Sequence, residues 1–281
     1  MNPIIKWTGG KRKEIILFKD FLPLNIDDLL YIEPFFGGGS LFFYLLPKHS
    51  VINDFDADLM CFYRAVKDQD ECFLKMVTKF SKFLYTNKDN TKIVRGEEYY
   101  KWRQLKPTNN SERAARFYIV NQMAFNGMRR FNAKGEFNIP YGNYKSLDVD
   151  RLRDKEVLAA LNNSDIHNGE YTTCLLDKKD CFIFIDPPYT RVFKEYSPGN
   201  IFAEDEQRKL ASRLKSLKHS KWMVIIDKSD LTVELYKDHI IKEYSLRYGN
   251  NIKNRYNSEA IHIVCTNYKL PTKEKKTIFD D

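Results

Sequence analysis

The chain has 281 residues, 43% of them hydrophobic, and its 46 Lys and Arg against 38 Asp and Glu leave a net charge of +8. These values are typical of an ordinary globular chain with one large or two unequal domains, and the positive charge favours nucleic acid as a partner. The five cysteines are widely spaced and include no C-x-x-C pair, which predicts an intracellular protein without a zinc site. The sequence shows no secretory signal and no apolar run of membrane-spanning length, which predicts a soluble protein.

A basic segment and a glycine-rich loop stand near the amino terminus. The segment is Lys6-Trp7-Thr8-Gly9-Gly10-Lys11, and the loop Glu33-Pro34-Phe35-Phe36-Gly37-Gly38-Gly39-Ser40 lies between a predicted strand, Leu30 to Ile32, and an apolar helix, Leu41 to Leu46. Three glycines let a ligand approach the backbone where a Cβ would collide. The loop is neither G-x-G-x-x-G nor a Walker loop, so it does not favour phosphate. Glu33 instead suits a cationic small molecule.

A second acidic residue follows the next short strand. Val51-Ile52 predicts that strand, and Asn53-Asp54 comes directly after it. Asp54 lies about one strand-helix-strand step after the glycine loop, where an acidic residue binds ribose hydroxyls in dinucleotide folds. The alternative is a helix N-cap or turn aspartate. A ligand with a positive centre, an adenosine-like ribose and no phosphates is S-adenosyl-L-methionine.

The middle of the chain differs in composition and predicts an inserted subdomain. Residues from Asp58 to Asn163 are rich in Lys, Tyr and Phe with helical periodicity, and Phe125 to Lys145 predicts a β-hairpin that turns near Asn132 to Gly135. Arginine can bind guanine through two hydrogen bonds in the major groove, and an aromatic side chain can enter a base stack. The alternative for Phe131 and Phe137 is that they form the hairpin's own small core.

The most informative motif is Asp186-Pro187-Pro188-Tyr189, which follows the apolar strand Cys181 to Ile185. Each proline fixes its own backbone and restricts the residue before it, so the carbonyl groups of Asp186 and Pro187 are held in place. Two rigid acceptors can therefore bracket one NH₂ group, and Tyr189 offers a face on which an extruded base can stack. The alternative is a proline turn that ends a buried strand.

The last third of the chain continues the alternation of helices and strands. Gln207 to Leu217 predicts a helix and Trp222 to Ile226 a buried strand, while Ile240 to Leu246 and Ala260 to Thr266 predict an antiparallel pair at the sheet edge. This alternation favours an α/β fold with a parallel sheet. We expect residues 1–57 and 164–270 to form a catalytic domain, residues 58–163 a target-recognition subdomain, and residues 271–281 a polar tail.

Four segments of the chain resemble, in this order, the motifs of the Dam-like (α-group, D12 class) DNA adenine-N6 methyltransferases. They are Lys6–Lys11, Glu33–Ser40, Asn53-Asp54 and Asp186–Tyr189. The resemblance extends from about residue 5 to residue 268. It implies a Rossmann-like methyltransferase sheet of seven strands, mostly parallel with one antiparallel strand, and a helical insertion that carries the hairpin. It also implies S-adenosyl-L-methionine as cofactor and double-stranded DNA as partner. A short palindrome such as GATC would be the target, and a cognate restriction endonuclease would be a functional counterpart rather than a bound partner.

The resemblance also implies roles for individual residues. Where the family usually has Asp-Phe after the third strand, this chain has Glu170-Tyr171. The implied catalytic residues are Asp186, Pro187 and Tyr189. The cofactor contacts are Trp7, Lys11, Glu33, Phe35, Gly37, Gly39, Asp54, Glu170, Tyr171 and Asp186. The DNA contacts are Phe125 as a wedge, Arg130 as a base reader, and Asn126, Met128, Asn132 and Pro140. No metal is expected, because a sulfonium methyl is already electrophilic.

Three other functions compete with DNA adenine methylation. The chain could methylate adenine in RNA or a protein glutamine, but the hairpin favours duplex DNA. It could be a DNA-binding paralogue without activity, which the intact Asp186 and the glycines from Gly37 to Gly39 argue against. A nucleotide-dependent oxidoreductase lacks its phosphate loop here.

Overall fold

The computed structural model describes residues 1–86, 91–132, 134–188, 202–247 and 259–270. In this part of the chain, seven strands form one sheet in the order β3-β2-β1-β4-β5-β7-β6. Strand β7 is antiparallel to both of its neighbours, and the other described pairings are parallel. The strands are β1 Leu30–Glu33, β2 Ser50–Asp54, β3 Ser164–Asn168, β4 Cys181–Ile185, β5 Lys221–Asp227, β6 Ile240–Arg247 and β7 Glu259–Thr266. The expected seven-stranded, mostly parallel sheet is therefore confirmed.

Both faces of the central strands are covered, which explains why the sequence shows continuous apolar runs. All five residues of β4 are buried. Successive side chains of a strand point to opposite faces, so Phe182 and Phe184 join one hydrophobic cluster while Ile183 and Ile185 join the other. A strand that is buried on both faces lacks the alternation of polar and apolar residues found in half-exposed strands.

The order of the strands places the two main motifs side by side. The chain leaves β1 towards β2 on one side and leaves β4 towards β5 on the other, so the direction of winding reverses between β1 and β4. Ligands of open α/β sheets bind outside the carboxyl ends of the strands at this reversal point. Glu33 ends β1 and Asp186 follows β4, so the glycine loop and the proline motif begin at the same place.

Helices surround the sheet and form the inserted region. The α-helices of the described residues are α1 Ile15–Phe18, α2 Ser40–Leu45, α3 Ala57–Lys67, α4 Glu71–Thr86, α5 Lys92–Gln104, α6 Asn110–Met123, α7 Lys155–Asn162, α8 Glu204–Ser216 and α9 Asp230–Tyr236. The predicted helix after the glycine loop is α2, which begins at Ser40. Helix α8 begins earlier than predicted, at Glu204, because acidic residues in its first turn suit a helix amino terminus. Within the described ranges, none of these helices combines the length and the apolar character needed to cross a bilayer.

Helices α3, α4 and α6 pack around an aromatic centre. The ring of Phe62 stacks on Tyr118 with centroids 5.3 Å apart and planes 3° apart, and Phe73 and Phe117 complete the group. These side chains belong to the same buried cluster as one face of the sheet. The division into a catalytic domain and a recognition subdomain stays a prediction.

We expect Phe62→Ala to lower the free energy of unfolding by about 3–5 kcal/mol, because it leaves a cavity among side chains that cannot close it. Denaturant unfolding followed by circular dichroism measures this change. Tyr85→Ala is the matched control, since Tyr85 is an aromatic residue of α4 that is 65% exposed. Equal midpoints for the two variants would show that Phe62 does not hold these helices together.

Candidate active site

The first feature of the site is an ion pair between the basic amino-terminal segment and the proline motif. Lys11 Nζ lies 2.7 Å from Asp186 Oδ1, and the Lys11 side chain is only 1% exposed. Asp186 is partly open, with 21% of its side chain exposed. Further along the motif, the Pro188 carbonyl accepts a hydrogen bond of 3.1 Å from the buried Gln207 side chain. The motif is thus held from α8 and from the amino terminus, while one side of the carboxylate stays accessible.

The charge of Asp186 depends on its surroundings. Burial raises the pKa of Asp186 above its usual range, and the charge and hydrogen bond of Lys11 oppose this shift. The negative charge of Glu14 raises the pKa further, and His262 opposes it. Lys11 is therefore the main group that favours the ionised form, which accepts hydrogen bonds at both oxygens.

Behind Lys11, a buried acid fastens the amino-terminal segment to the far edge of the sheet. Residues Lys11–Lys13 form one turn of 3₁₀ helix, and the Glu14 N–H donates to the Lys11 carbonyl at 2.7 Å. Glu14 Oε2 lies 2.7 Å from the Tyr244 hydroxyl, which donates to it, and 2.8 Å from His262 Nδ1. All three side chains are buried. Burial acts to raise the pKa of Glu14, but the hydrogen bond from His262 and the charge of Lys11 outweigh it and leave the pKa below its usual value. Sequence reasoning missed this cluster, since Tyr244 and His262 lie 230 and 248 residues after Glu14 in the chain and no motif marks them.

The glycine loop lies against Trp7. A Cβ on Gly37 would come within 2.5 Å of Trp7 Nε1, and one on Gly38 within 2.7 Å of Trp7 Cβ. Gly37 and Gly39 also have left-handed backbones, with φ of +48° and +63°, which favour glycine. The structure thus brings the predicted residues Trp7, Gly37 and Gly39 together. Their contacts with a cofactor stay a prediction.

The two predicted acids at the carboxyl ends of β1 and β2, Glu33 and Asp54, already accept hydrogen bonds from the protein. Asp54 accepts the N–H of Gly37 through Oδ2 at 2.8 Å and the N–H of Asp56 through Oδ1 at 2.9 Å, as expected for a turn aspartate. Burial raises the pKa of Asp54 to about 6. Glu33 accepts the Tyr31 hydroxyl at 2.7 Å, and burial raises the pKa of Glu33 well above its usual range. Each carboxylate keeps lone pairs for a ligand, so their predicted roles stay open to test.

Aromatic rings cover the neighbouring side of the site. Tyr171 stacks on Phe35 with centroids 5.0 Å apart, and Phe202 meets both rings edge-on. Tyr171 is buried, whereas Glu170 before it is exposed. Two of the predicted cofactor contacts, Phe35 and Tyr171, therefore lie together, and the predicted contact of Glu170 with the cofactor stays a prediction. The third predicted catalytic residue, Tyr189, lies outside the described residues.

The predicted hairpin is present as a short antiparallel pairing. Phe131 bridges Phe137, and their rings meet edge-on with centroids 5.8 Å apart, so these two side chains do form the hairpin's own packing. At the turn, the Asn132 carbonyl accepts the Gly135 N–H at 2.9 Å. The side-chain oxygen of Asn132 accepts the N–H groups of Lys134 and Glu136, both at 2.9 Å. Asn132 therefore shapes the turn.

The remaining predicted DNA contacts lie on the hairpin surface. Phe125 and Met128 are 39% and 37% exposed. Arg130 is exposed, and its Nε donates to Asn138 Oδ1 at 2.9 Å. Asn126 and Pro140 are also exposed, and the Pro140 carbonyl accepts the Phe125 N–H at 2.9 Å. The hairpin thus presents a guanidinium and apolar side chains to solvent.

The amino-terminal segment also contacts the hairpin region. The Lys6 N–H donates to Asn121 Oδ1 at 3.1 Å, and Asn121 Nδ2 donates to the Lys6 carbonyl at 2.7 Å. Lys6 Nζ donates to the Gln122 carbonyl at 2.6 Å and lies 3.4 Å from the Tyr144 ring centre. Burial lowers the pKa of Lys6 to about 8. One short segment therefore joins the hairpin region at Lys6 to the proline motif at Lys11.

Comparison with known proteins supports the arrangement of motifs. Residues 7–250 match a family model described as D12 class N6 adenine-specific DNA methyltransferase. The chain is 32% identical to the type II methyltransferase M1.LlaDCHI of Lactococcus lactis subsp. cremoris, over 95% of this chain and 96% of the relative. It is 31% identical to the type II methyltransferase M.CviBI of Paramecium bursaria Chlorella virus NC1A, over 95% and 100%. It is 28% identical to the DNA adenine methylase of Escherichia coli (strain K12), over 85% and 86%.

We expect Lys11→Met to destabilise the protein by about 3 kcal/mol near neutral pH, because it leaves the Asp186 carboxylate without its cation. The loss should shrink as the pH falls and the Asp186 carboxylate becomes protonated. An acid whose pKa is raised in the folded state lowers stability as the pH rises through that pKa, and the variant raises the Asp186 pKa further. Denaturant unfolding at several pH values measures this effect. Lys13→Met is the control, since Lys13 is an exposed lysine of the same turn, and a loss independent of pH would contradict the assigned pair.

Proposed function

Because this chain belongs to the family of D12 class N6 adenine-specific DNA methyltransferases, we propose that it transfers a methyl group from S-adenosyl-L-methionine to the exocyclic amine of adenine in duplex DNA. The observation that carries the proposal is the carboxylate of Asp186. It lies partly open at the point where the winding of the sheet reverses, and the charge of Lys11, 2.7 Å away, favours its ionised form. Such a carboxylate can accept hydrogen bonds from an amine directly, without a metal ion.

The acids around the glycine loop fit a positively charged cofactor. Glu33 lies near both Asp54 and Asp186, and each of these charges raises the pKa of Glu33. A sulfonium centre bound nearby would relieve this repulsion, whereas a pyrophosphate would add to it. In the proposal, ten residues would hold the cofactor: Trp7, Lys11, Glu33, Phe35, Gly37, Gly39, Asp54, Glu170, Tyr171 and Asp186.

When bound, S-adenosylmethionine supplies a methyl group that is already activated by its sulfonium centre. The Asp186 carboxylate and the Pro187 carbonyl would accept the two hydrogens of the adenine NH₂ group. Those bonds favour a tetrahedral nitrogen and so release the lone pair, which conjugation with the ring otherwise withdraws. The nitrogen would form its bond to the methyl carbon as the carbon–sulfur bond breaks, leaving S-adenosylhomocysteine, and the amine would then lose one proton to solvent. Holding the amine in line with the methyl carbon supplies much of the remaining rate enhancement.

Adenine in a duplex is stacked, so the base must be flipped out at a cost of a few kcal/mol. The exposed Phe125 and Met128 support this step, since an apolar side chain can fill the vacated space in the stack. Tyr189 would stack on the flipped base. Arg130 would bind a guanine of the target, which we propose to be a short palindrome such as GATC.

Removal of the Asp186 carboxylate should greatly reduce the rate of methyl transfer while leaving DNA binding nearly intact. We expect Asp186→Ala to lower kcat by at least about 10²–10³-fold, because the lost acceptor acts on the amine in the transition state. Tritiated methyl transfer to duplex DNA and a DNA-binding titration measure the two quantities separately. Asp205→Ala, at an exposed aspartate of α8, should keep full turnover.

The same assay separates the proposed reaction from its competitors. Transfer to RNA or to a protein but not to duplex DNA would overturn the proposed substrate. Binding of DNA by the unaltered protein without any transfer would indicate an inactive paralogue. Retained turnover in Asp186→Ala would overturn the assigned role of this carboxylate.

Arg130→Ala should relax the preference for one base pair of the target. A guanidinium that binds guanine through two hydrogen bonds contributes about 1–3 kcal/mol of discrimination. Competition binding between the target duplex and duplexes with single substitutions measures the change. Lys134→Ala in the same hairpin is the control, since Lys134 is an exposed cation to which no base contact is assigned, and its loss should weaken binding to all the duplexes alike. An unchanged preference in Arg130→Ala would rule out Arg130 as the reader.

A further inference from the structure

Two neighbouring arginines of the hairpin have opposite surroundings. The side chain of Arg130 is exposed, whereas that of Arg129 is 15% exposed and forms an ion pair with Asp56 Oδ2. The Asp56 side chain is also largely covered, at 21% exposed. A guanidinium enclosed in this way cannot turn towards a DNA groove without breaking the pair. Arg129 therefore has a different task from Arg130.

The guanidinium of Arg129 lies between aromatic rings from three parts of the chain. Its central carbon is 5.1 Å from the ring centre of Phe117 in α6, 5.4 Å from that of Phe131 in the hairpin and 5.7 Å from that of Trp7. A cation at these distances is attracted to each ring. Arg129 thus contacts the hairpin, helix α6 and the amino-terminal segment at the same time.

On the other side of the ion pair, Asp56 leads to the glycine loop. Asp56 Oδ1 accepts the N–H groups of Asp58 and Leu59 at 3.0 and 3.1 Å and so caps α3. The Asp56 N–H donates to Asp54 Oδ1 at 2.9 Å, and Asp54 Oδ2 accepts the Gly37 N–H at 2.8 Å. Direct contacts therefore run from the hairpin through Arg129, Asp56 and Asp54 to the loop. A second route runs from Arg129 through Trp7 to the same loop.

We propose that Arg129 is a positioning residue that couples the hairpin to the cofactor side of the site. Its charge holds the hairpin against Asp56 and Trp7, so a ligand that fixes Trp7 and the glycine loop also fixes the hairpin. A hairpin that is already held loses less freedom when DNA binds. Coupling of this kind is reciprocal, so each ligand increases the affinity for the other by the same factor. The proposal rests on the proposed function, because it takes the hairpin as the DNA-binding element.

Three variants separate this role from base reading. Arg129→Met removes the charge but keeps an unbranched side chain among the rings. Asp56→Asn removes the other charge but retains an oxygen that can cap α3. Arg130→Met is the matched control, since it removes the exposed arginine at the next position.

The experiment compares the affinity for target DNA with and without S-adenosylhomocysteine. In the unaltered protein this compound should tighten DNA binding by at least about fivefold, within the usual range of such coupling. Arg129→Met and Asp56→Asn should each reduce that factor to near one, and the double variant should add little, as expected for partners in one interaction. Arg130→Met should weaken DNA binding equally with and without the compound. If Arg129→Met behaved like Arg130→Met, Arg129 would be a reader and the proposal would be wrong.

Hydrogen exchange provides a readout that needs no DNA. Without any ligand, backbone amides of residues 125–132 should exchange faster in Arg129→Met than in the unaltered protein. They should also exchange faster than in Arg130→Met, which loses only the exposed hydrogen bond to Asn138. Equal exchange in all three proteins would overturn the positioning role. If the unaltered protein neither binds nor methylates DNA, the proposed function fails, but this exchange result still decides whether Arg129 holds the hairpin.

Discussion

The ion pair between Lys11 and Asp186 is the interaction on which the rest of the site depends. An isolated carboxyl group in this crevice would tend to stay protonated, since burial raises its pKa. A protonated acid would have a hydrogen of its own to donate and would be a poorer acceptor for an amine. Lys11 is itself almost fully buried and must be held in place, which the adjoining Glu14 does through Tyr244 and His262. The last two strands of the sheet therefore support a residue near the start of the chain.

The same amino-terminal segment connects the proline motif with the hairpin region. At one end, Lys11 reaches the proline motif, while Trp7 packs beside the glycine loop. At the other end, Lys6 is bonded to α6 and lies on the ring of Tyr144. A shift of the segment would therefore disturb the carboxylate, the loop and the hairpin region together. A stretch with little regular structure therefore contacts three different parts of the fold.

The sequence could predict those features that depend on neighbouring residues, and the structure confirms them. Strand β4 and its proline motif, the glycine loop after β1 and the turn of the hairpin each have a local pattern with a local physical cause. Contacts between distant parts of the chain have no such pattern. The cluster around Glu14 and His262 needs the antiparallel strand β7 to lie beside β5, which no single segment reveals. The glycines illustrate a mixed case: their positions indicated a close approach, but in the described residues the group that approaches Gly37 and Gly38 is Trp7.

The difference between Arg129 and Arg130 shows how strongly the hairpin register is constrained. Adjacent residues of an extended strand point to opposite sides, so one arginine faces the fold while the other faces solvent. The pairing of Phe131 with Phe137 and the bond from Arg130 to Asn138 fix this register from within the hairpin. A shift by one residue would bury Arg130 against Asp56 and expose Arg129. Because both side chains carry the same group, the buried and the exposed guanidinium would exchange places rather than disappear. The internal pairing of the hairpin, and not the identity of either arginine, therefore decides which of them faces solvent.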